Sequence, residues 1–275
     1  MNILIFGSEG NIGSALTREF IKNNAIKKIF LIDIVKNSTH KSRKIEYFNF
    51  SNINDKNFKI KENFEIIIFT SFITDFRNER NKKNYLRNNI NIIQTGINLL
   101  KNDNSKRLIY LSSVAVYGKK NVICDEKTKT TPYNIYSYTK LKIENFIKNQ
   151  SKKYKFKYLI LRLPHLYGPN ITNNFISSFI KKKIISIDGD GTQIRNLLHI
   201  HDLYNFIVKS MNFKKNYTLN IGHEQFSLNE IVKILGKNYK YRNQSTGPKN
   251  QIINFSKAKK LFKWQPIFYF KNTYK

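Results

Sequence analysis

Asn2 to Phe6 is a short apolar run that stops at Gly7-Ser8-Glu9-Gly10-Asn11-Ile12-Gly13, and Ile12, Leu16, Phe20 and Ile21 then follow at helical spacing. This stretch limits the fold more than any other, because it specifies a strand, a glycine turn and a helix in immediate succession. Gly7 permits the tight turn, Gly10 lets backbone approach an anion, and Gly13 lets helix and strand pack closely, while the helix N-terminus faces that anion. Asn11 and Ile12, the first helical residues, belong to the same site. A second strand, Lys28 to Ile34, presents Asp33 about 20 residues beyond the last glycine, where an acid can accept from a ribose hydroxyl. Strand, turn, helix, strand and acid in that order predict a dinucleotide site. An acid at position 33 repels a 2′-phosphate and favours NAD over NADP, with Lys36 and Arg43 nearby pulling the other way.

With 275 residues, 40% of them hydrophobic, the chain can build one substantial core, or a nucleotide-binding domain with a smaller lobe. No apolar run approaches the roughly 18 residues of a membrane span, and Met1-Asn2 leads straight into the first strand, so neither a span nor a signal peptide is expected. The single cysteine, Cys124, excludes an intramolecular disulfide and suits a reducing, cytoplasmic setting. No His stands near it in sequence, which favours a plain loop thiol over a nucleophile. The formal charge of +31 would ordinarily argue for nucleic acid or an anionic membrane. Here Lys is spread over every kind of segment and greatly outnumbers Arg, the residue suited to bidentate phosphate and guanine contacts. We therefore read the charge as chain-wide drift and expect no specific nucleic-acid partner, although the field should attract anionic ligands and weaken with salt.

Along the chain, Ile45 to Phe50 reads as a third strand and Phe64 to Thr70 as a fourth, its unbroken apolar run fitting a parallel strand buried on both faces. A helix from about Glu79 to Leu100 carries an apolar stripe of Tyr85, Ile90, Ile93, Ile97 and Leu100. A fifth strand, Arg107 to Leu111, opens into Ser112-Ser113-Val114-Ala115-Val116-Tyr117-Gly118, and a helix containing Tyr136 and Lys140 follows Pro132. A sixth strand, Phe156 to Leu163, exits through Pro164-His165-Leu166-Tyr167-Gly168-Pro169. Shorter pieces come next: a helix near Asn174 to Lys181, a strand at Ile184 to Ile187, a basic strand around Arg195, a helix from His201 to Met211, a strand at Tyr217 to Ile221, and helices near Ser227 and Ser256. The alternation predicts an α/β fold, a Rossmann-like doubly wound parallel sheet with a smaller C-terminal substrate-binding lobe. The expected division is residues 1–163 for the NAD-binding domain and 164–275 mainly for the lobe, with excursions back to the sheet.

Tyr136 and Lys140 stand four apart, on one face of their helix. A phenol titrating near about 10 is a poor base at neutral pH and needs a cation and a hydrogen-bond donor to hold it as phenolate. Lys140, one turn along, and Ser113, at a neighbouring strand end, can supply these. Tyr136 could then remove a proton from a substrate hydroxyl while the adjacent carbon passes hydride to nicotinamide. His199 and His201 lie two apart beside Asp202, but no third ligand has convincing spacing, so no metal is expected and Asp202 is read as a helix cap.

Taken together, Gly7-x-x-Gly10-x-x-Gly13, Ser112 to Gly118, Tyr136-x-x-x-Lys140-Leu141-x-x-Glu144, Arg162 to Pro169, Gly189-Asp190-Gly191-Thr192-Gln193-Ile194-Arg195-Asn196, Tyr217 to Gly222, and Ser256 to Pro266 with its Trp264-Gln265-Pro266 resemble the extended short-chain dehydrogenase/reductase family, in particular its nucleotide-sugar epimerase and dehydratase branch. The resemblance spans nearly the whole chain. It implies Ser113, Tyr136 and Lys140 as catalytic residues, with Tyr136 and Lys140 also touching NAD. It implies Asn49 near adenine, Asn89 holding the active site, and Ser113, His165 and Arg195 against the nucleotide sugar. His165 replaces the usual asparagine, Asn196 replaces an acid, and past Pro266, where members usually continue into a further helix, only Ile267-Phe268-Tyr269-Phe270 and a polar tail follow. A homodimer through two helices, one carrying Tyr136, is common in the family. Its 4,6-dehydratases place an Asp-Glu pair after the catalytic hydroxyl, where this chain has Val114 and Ala115, so elimination and the related decarboxylation are disfavoured. The expectation is an NAD-dependent epimerase acting at C4 of a nucleotide-diphosphate sugar. A ketosugar reductase is the alternative, and a non-catalytic Rossmann regulator or nucleic-acid-associated protein is the alternative of another class.

Overall fold

The computed structural model describes residues 1–35, 37–49, 60, 63–71, 82–100, 105–120, 122–172, 174–243 and 249–274. Lys36, Phe50 and the Glu79 start of the expected helix lie outside the described residues. The first half alternates as the sequence predicts: β1 (Asn2–Phe6), α1 (Asn11–Lys22), β2 (Lys28–Asp33), β3 (Ile45–Asn49), β4 (Ile66–Phe69), α2 (Lys82–Asn98), β5 (Arg107–Ser113), a 3-10 turn (Val114–Tyr117), α3 (Ile135–Tyr154) and β6 (Lys157–Leu163). Then come β7 (His165–Tyr167), α4 (Phe175–Lys181), β8 (Ile184–Asp188), β9 (Ile194–His199), α5 (Ile200–Ser210), β10 (Tyr217–Asn220), β11 (Glu224–Ser227), α6 (Leu228–Ile234), β12 (Asn238–Arg242), α7 (Ser256–Phe262) and α8 (Phe270–Thr273).

The seven-stranded parallel sheet has the order β3-β2-β1-β4-β5-β6-β10. That order reverses at β1, the topology of a doubly wound sheet whose ligands lie beyond the strand C-termini. Gly7, Asp33 and Ser113 each stand at or just past such an end. All four residues of β4 are buried, so an apolar run with no alternation is what this central strand requires.

By compactness the chain divides into two units, Met1–Ser112 with Tyr138–Leu161 and Met211–Tyr217, and Ser113–Ser137 with Arg162–Ser210 and Thr218–Lys275. In the first, Leu4, Phe6, Phe30, Ile67 and Phe69 of the sheet pack with Ile93 and Ile97 of α2 and Ile143 and Ile147 of α3. In the second, Ile185, Ile187, Leu197, Ile231 and Val232 pack around Tyr167 and Phe270. Here β9 pairs antiparallel with β11 and parallel with β7, and β12 runs parallel to β8.

One feature of the second unit differs from the sequence reading. Asp202 does not cap its helix: it is buried in the first turn of α5, and its Oδ1 and Oδ2 accept from the N–H groups of Ile267 and Phe268 at 2.9 and 3.1 Å. A short carboxylate with two oxygens serves two successive amides better than one helix end. The short apolar stretch past Pro266 packs onto this core, with Phe270 fully buried and its ring 5.1 Å from that of Tyr167. Cys124 lies in a loop, outside the named strands, where it forms an isolated bridge to Ile253, and burial pushes its thiol up, with Lys120 drawing it partway back.

Candidate active site

The glycine turn is built as the spacing predicts. Gly7 has φ +83°, a backbone conformation that side chains with a Cβ rarely adopt. A Cβ on Gly13 would run into the carbonyl oxygen of Gly7, so strand and helix meet there with only a hydrogen between them. Gly10 caps α1 from extended backbone, and no side chain caps that helix. A Cβ on Gly10 would meet only the Gly7 oxygen, at 3.3 Å. The turn thus leaves the helix N-terminus uncovered by side chains, a cradle suited to a pyrophosphate, with Asn11 and Ile12 supplying the first helical amides.

Asp33 stands beside this cradle and is held by two amides, Glu9 N–H to Oδ2 at 2.8 Å and Ile34 N–H to Oδ1 at 2.7 Å. Asn49, directly across from Asp33 on β3, donates to the carbonyl oxygens of Ile34 and Val35. Its amide shapes the turn that follows Asp33. Asn89 is buried on α2 and donates to the Tyr85 carbonyl at 2.9 Å.

Ser113 ends β5 and accepts from Ala115 N–H at 3.2 Å, which turns the chain into the 3-10 segment. Its side chain is hydrogen-bonded to the Tyr136 hydroxyl. Burial pushes that phenol up, the Ser113 bond draws it down, and Tyr133 pushes it up again. One turn further along α3, Lys140 is buried, donates to the Leu111 carbonyl at 2.7 Å and lies 4.9 Å from the centre of the Tyr110 ring. Glu144, fully buried one turn on, accepts from Ser112 Oγ at 2.6 Å. Sequence reasoning gave Glu144 no role; its signal was its place four residues after Lys140, where a carboxylate balances a buried amine.

Burial pushes the Lys140 amine down to about 7, and Glu144 pulls it partway back. An unfolded lysine titrates near about 10.4, so between these values the unfolded chain binds more protons and this group's contribution to stability rises with pH. In urea denaturation at pH about 7 and about 9.5, the wild type should therefore gain stability relative to Lys140→Met at the higher pH. A difference that stays constant would mean that the amine keeps its ordinary titration.

In the second unit His165 packs edge-on to Phe175 at 4.7 Å. Burial, then the charge of Arg195, pushes its imidazole down to about 4, so it is neutral at pH 7. Arg195 donates to the Ile194 carbonyl at 2.9 Å. His199 stacks on Phe268 at 4.5 Å, and its Nδ1 accepts from His201 N–H at 3.2 Å. No group of three potential metal ligands occurs among the described residues.

Residues 3–222 match the family described as NAD dependent epimerase/dehydratase family. The chain belongs to this family. A Methanocaldococcus jannaschii protein provisionally named UDP-glucose 4-epimerase is 29% identical over 96% of this chain and 93% of its own length. A dTDP-D-glucose 4,6-dehydratase of Dictyostelium discoideum is 28% identical over 85% of this chain and 61% of its own length. Among solved structures, the UDP-glucuronic acid 4-epimerase of Bacillus cereus, in complex with UDP-glucuronic acid and NAD, superposes with TM-score 0.86 at 26% identity over 99% of this chain and 96% of that one. As a member of this NAD-dependent family the chain is an enzyme whose cofactor is NAD, and the glycine cradle and Asp33 fit that group.

Proposed function

We propose that this enzyme inverts C4 of a nucleotide-diphosphate sugar by removing hydride and returning it to the opposite face. The observation that carries the reading is the pairing of a Ser113–Tyr136 hydrogen bond with a 3-10 turn whose first residues are Val114 and Ala115. Water elimination requires an acid and a base beyond the phenol, and neither side chain can serve. Tyr136, as phenolate, takes the proton from the C4 hydroxyl, Ser113 holds both oxygens in line, and Lys140 supplies the cation that makes the phenolate accessible. Bound NAD supplies the hydride acceptor and, in the reverse sense, the donor. Arg195 binds the diphosphate through its guanidinium, and the neutral His165 adds hydrogen bonding without charge. The family relatives named for UDP-sugar 4-epimerases support this choice.

The test incubates the purified protein with UDP-glucose, UDP-galactose, UDP-glucuronic acid and the N-acetyl sugars, with no added cofactor. The expected result is C4 inversion of at least one of them. Turnover of a 4-keto sugar only with added NADH would mark a reductase. A 6-deoxy-4-keto product would mark a dehydratase.

A further inference from the structure

Within the glycine turn, Glu9 fills a position that the dinucleotide pattern leaves open, and its carboxylate is nevertheless the most heavily engaged group there. Ser38 Oγ donates to Oε1 at 2.7 Å, and Thr39 donates to Oε2 through both its N–H, at 3.1 Å, and its Oγ1, at 2.6 Å. His40 Nε2 lies 3.8 Å from Oε1 and 3.3 Å from the Ser8 carbonyl oxygen. The side chains of Glu9 and His40 are only 6% and 2% exposed, so solvent competes little for these bonds. The segment Ser38 to His40 follows β2 and folds back on the turn, offering two hydroxyls, an amide and an imidazole to one anion. That is the donor set a phosphate monoester recruits.

The anion in this nest is tied to the ribose acid, because the Glu9 N–H donates to Asp33 Oδ2 at 2.8 Å. A second observation places the two carboxylates together. Tyr47 on β3 is pushed up to about 12, first by burial, then by the charges of Asp33 and of Glu9. Burial pushes the Glu9 carboxyl up, but the bonds from Thr39 and Ser38, with His40 beside them, outweigh it and hold the group below its ordinary value. Glu9 is therefore an anion at neutral pH.

We propose that Glu9 is a built-in anion that fixes the choice of cofactor, occupying with its own carboxylate the Ser38-Thr39-His40 nest that a 2′-phosphate beside Asp33 would need. Two effects act together. The donors are already used, and a 2′-phosphate would meet a second negative charge besides Asp33. Asp33 alone disfavours the phosphate by repulsion, whereas Glu9 also removes its ligands. The inference rests on the cofactor turn and not on which sugar is turned over.

The test is direct calorimetric binding of NAD and NADP to the wild type, Glu9→Ala and Glu9→Gln, with thermal melting of each protein in inorganic phosphate. The expected result is a preference of the wild type for NAD that narrows about tenfold or more in Glu9→Ala, chiefly through tighter NADP binding. Phosphate should raise the melting temperature of Glu9→Ala, whose nest has lost its anion, more than that of the wild type. Glu9→Gln keeps the shape and removes the charge, so it should narrow the preference in the same direction even if Glu9→Ala folds poorly. An NAD/NADP ratio unchanged in the variants, or an equal loss of both cofactors, overturns the proposal whatever the sugar assay returns.

Discussion

Replacing Tyr136 by Phe should lower turnover about 1,000-fold and leave NAD affinity within a few-fold of the wild type. The reasoning is local. The substitution removes one oxygen from a partly buried phenol whose hydrogen-bond partner, Ser113, also accepts from Ala115 N–H. Ser113 therefore does not become an orphan, and the stability change should stay near about 1 kcal/mol. What disappears is the phenol on α3 that is bonded to Ser113 and has a buried lysine, Lys140, one turn ahead. Tyr138 on the same helix is exposed and has Lys142 at the same offset as a solvated neighbour, 5.2 Å from its ring centre, which makes Tyr138→Phe the matched control with near wild-type turnover. The pH profile adds a separate check. Because burial holds Tyr136 up and Lys140 down to about 7, turnover in the wild type should rise with pH as the phenolate forms and fall again as Lys140 loses the charge that supports it, a bell-shaped profile. A Tyr136→Phe protein that retains full turnover with the same profile would remove Tyr136 from its role.

The difference between what the sequence shows and what it hides follows from the range of the interactions. The glycine turn, Asp33, and the Tyr136 and Lys140 pair are legible because each depends on residues a few positions apart or on a strand end, and the apolar run of β4 announces a buried central strand. Asn238–Arg242 is different. All five of its residues are exposed, and its strand character comes from pairing with β8, more than 50 positions earlier at Ile184↔Asn238. Polar alternation without a buried face cannot signal that partner. Glu9 is hidden for the same reason: its partners Ser38 and Thr39 lie 29 and 30 residues away, and nothing in a glycine pattern assigns chemistry to its open positions. Asp202 misleads because acids at helix starts so often cap, whereas its actual partners are amides 65 and 66 residues on.

The second and third glycines of the turn, Gly10 and Gly13, should separate binding from folding. At Gly13 a Cβ collides with the Gly7 carbonyl oxygen and comes within 2.6 Å of Thr70 Oγ1. Neither can retreat easily, because that carbonyl already accepts from Gly10 N–H at 3.2 Å and from Thr70 Oγ1 at 2.9 Å. Gly13→Ala must therefore pry α1 from β1, an overpacking cost of about 1–3 kcal/mol. For a chain of this size that corresponds to a melting temperature lower by roughly 3–10 °C. NAD affinity should fall with it, by about 100-fold, since the cradle itself is displaced. Gly10 has φ −68° and ψ 167°, a conformation open to any residue, and its added Cβ would touch only the Gly7 oxygen at 3.3 Å. Gly10→Ala should therefore melt within about 2 °C of the wild type. It should still lose about tenfold in NAD affinity, because the methyl group intrudes where the pyrophosphate must approach the backbone. Calorimetric binding and thermal melting on the same two preparations decide the matter. If Gly10→Ala binds NAD as tightly as the wild type, the anion does not approach the backbone at this residue, and the assignment of the turn as the pyrophosphate cradle fails.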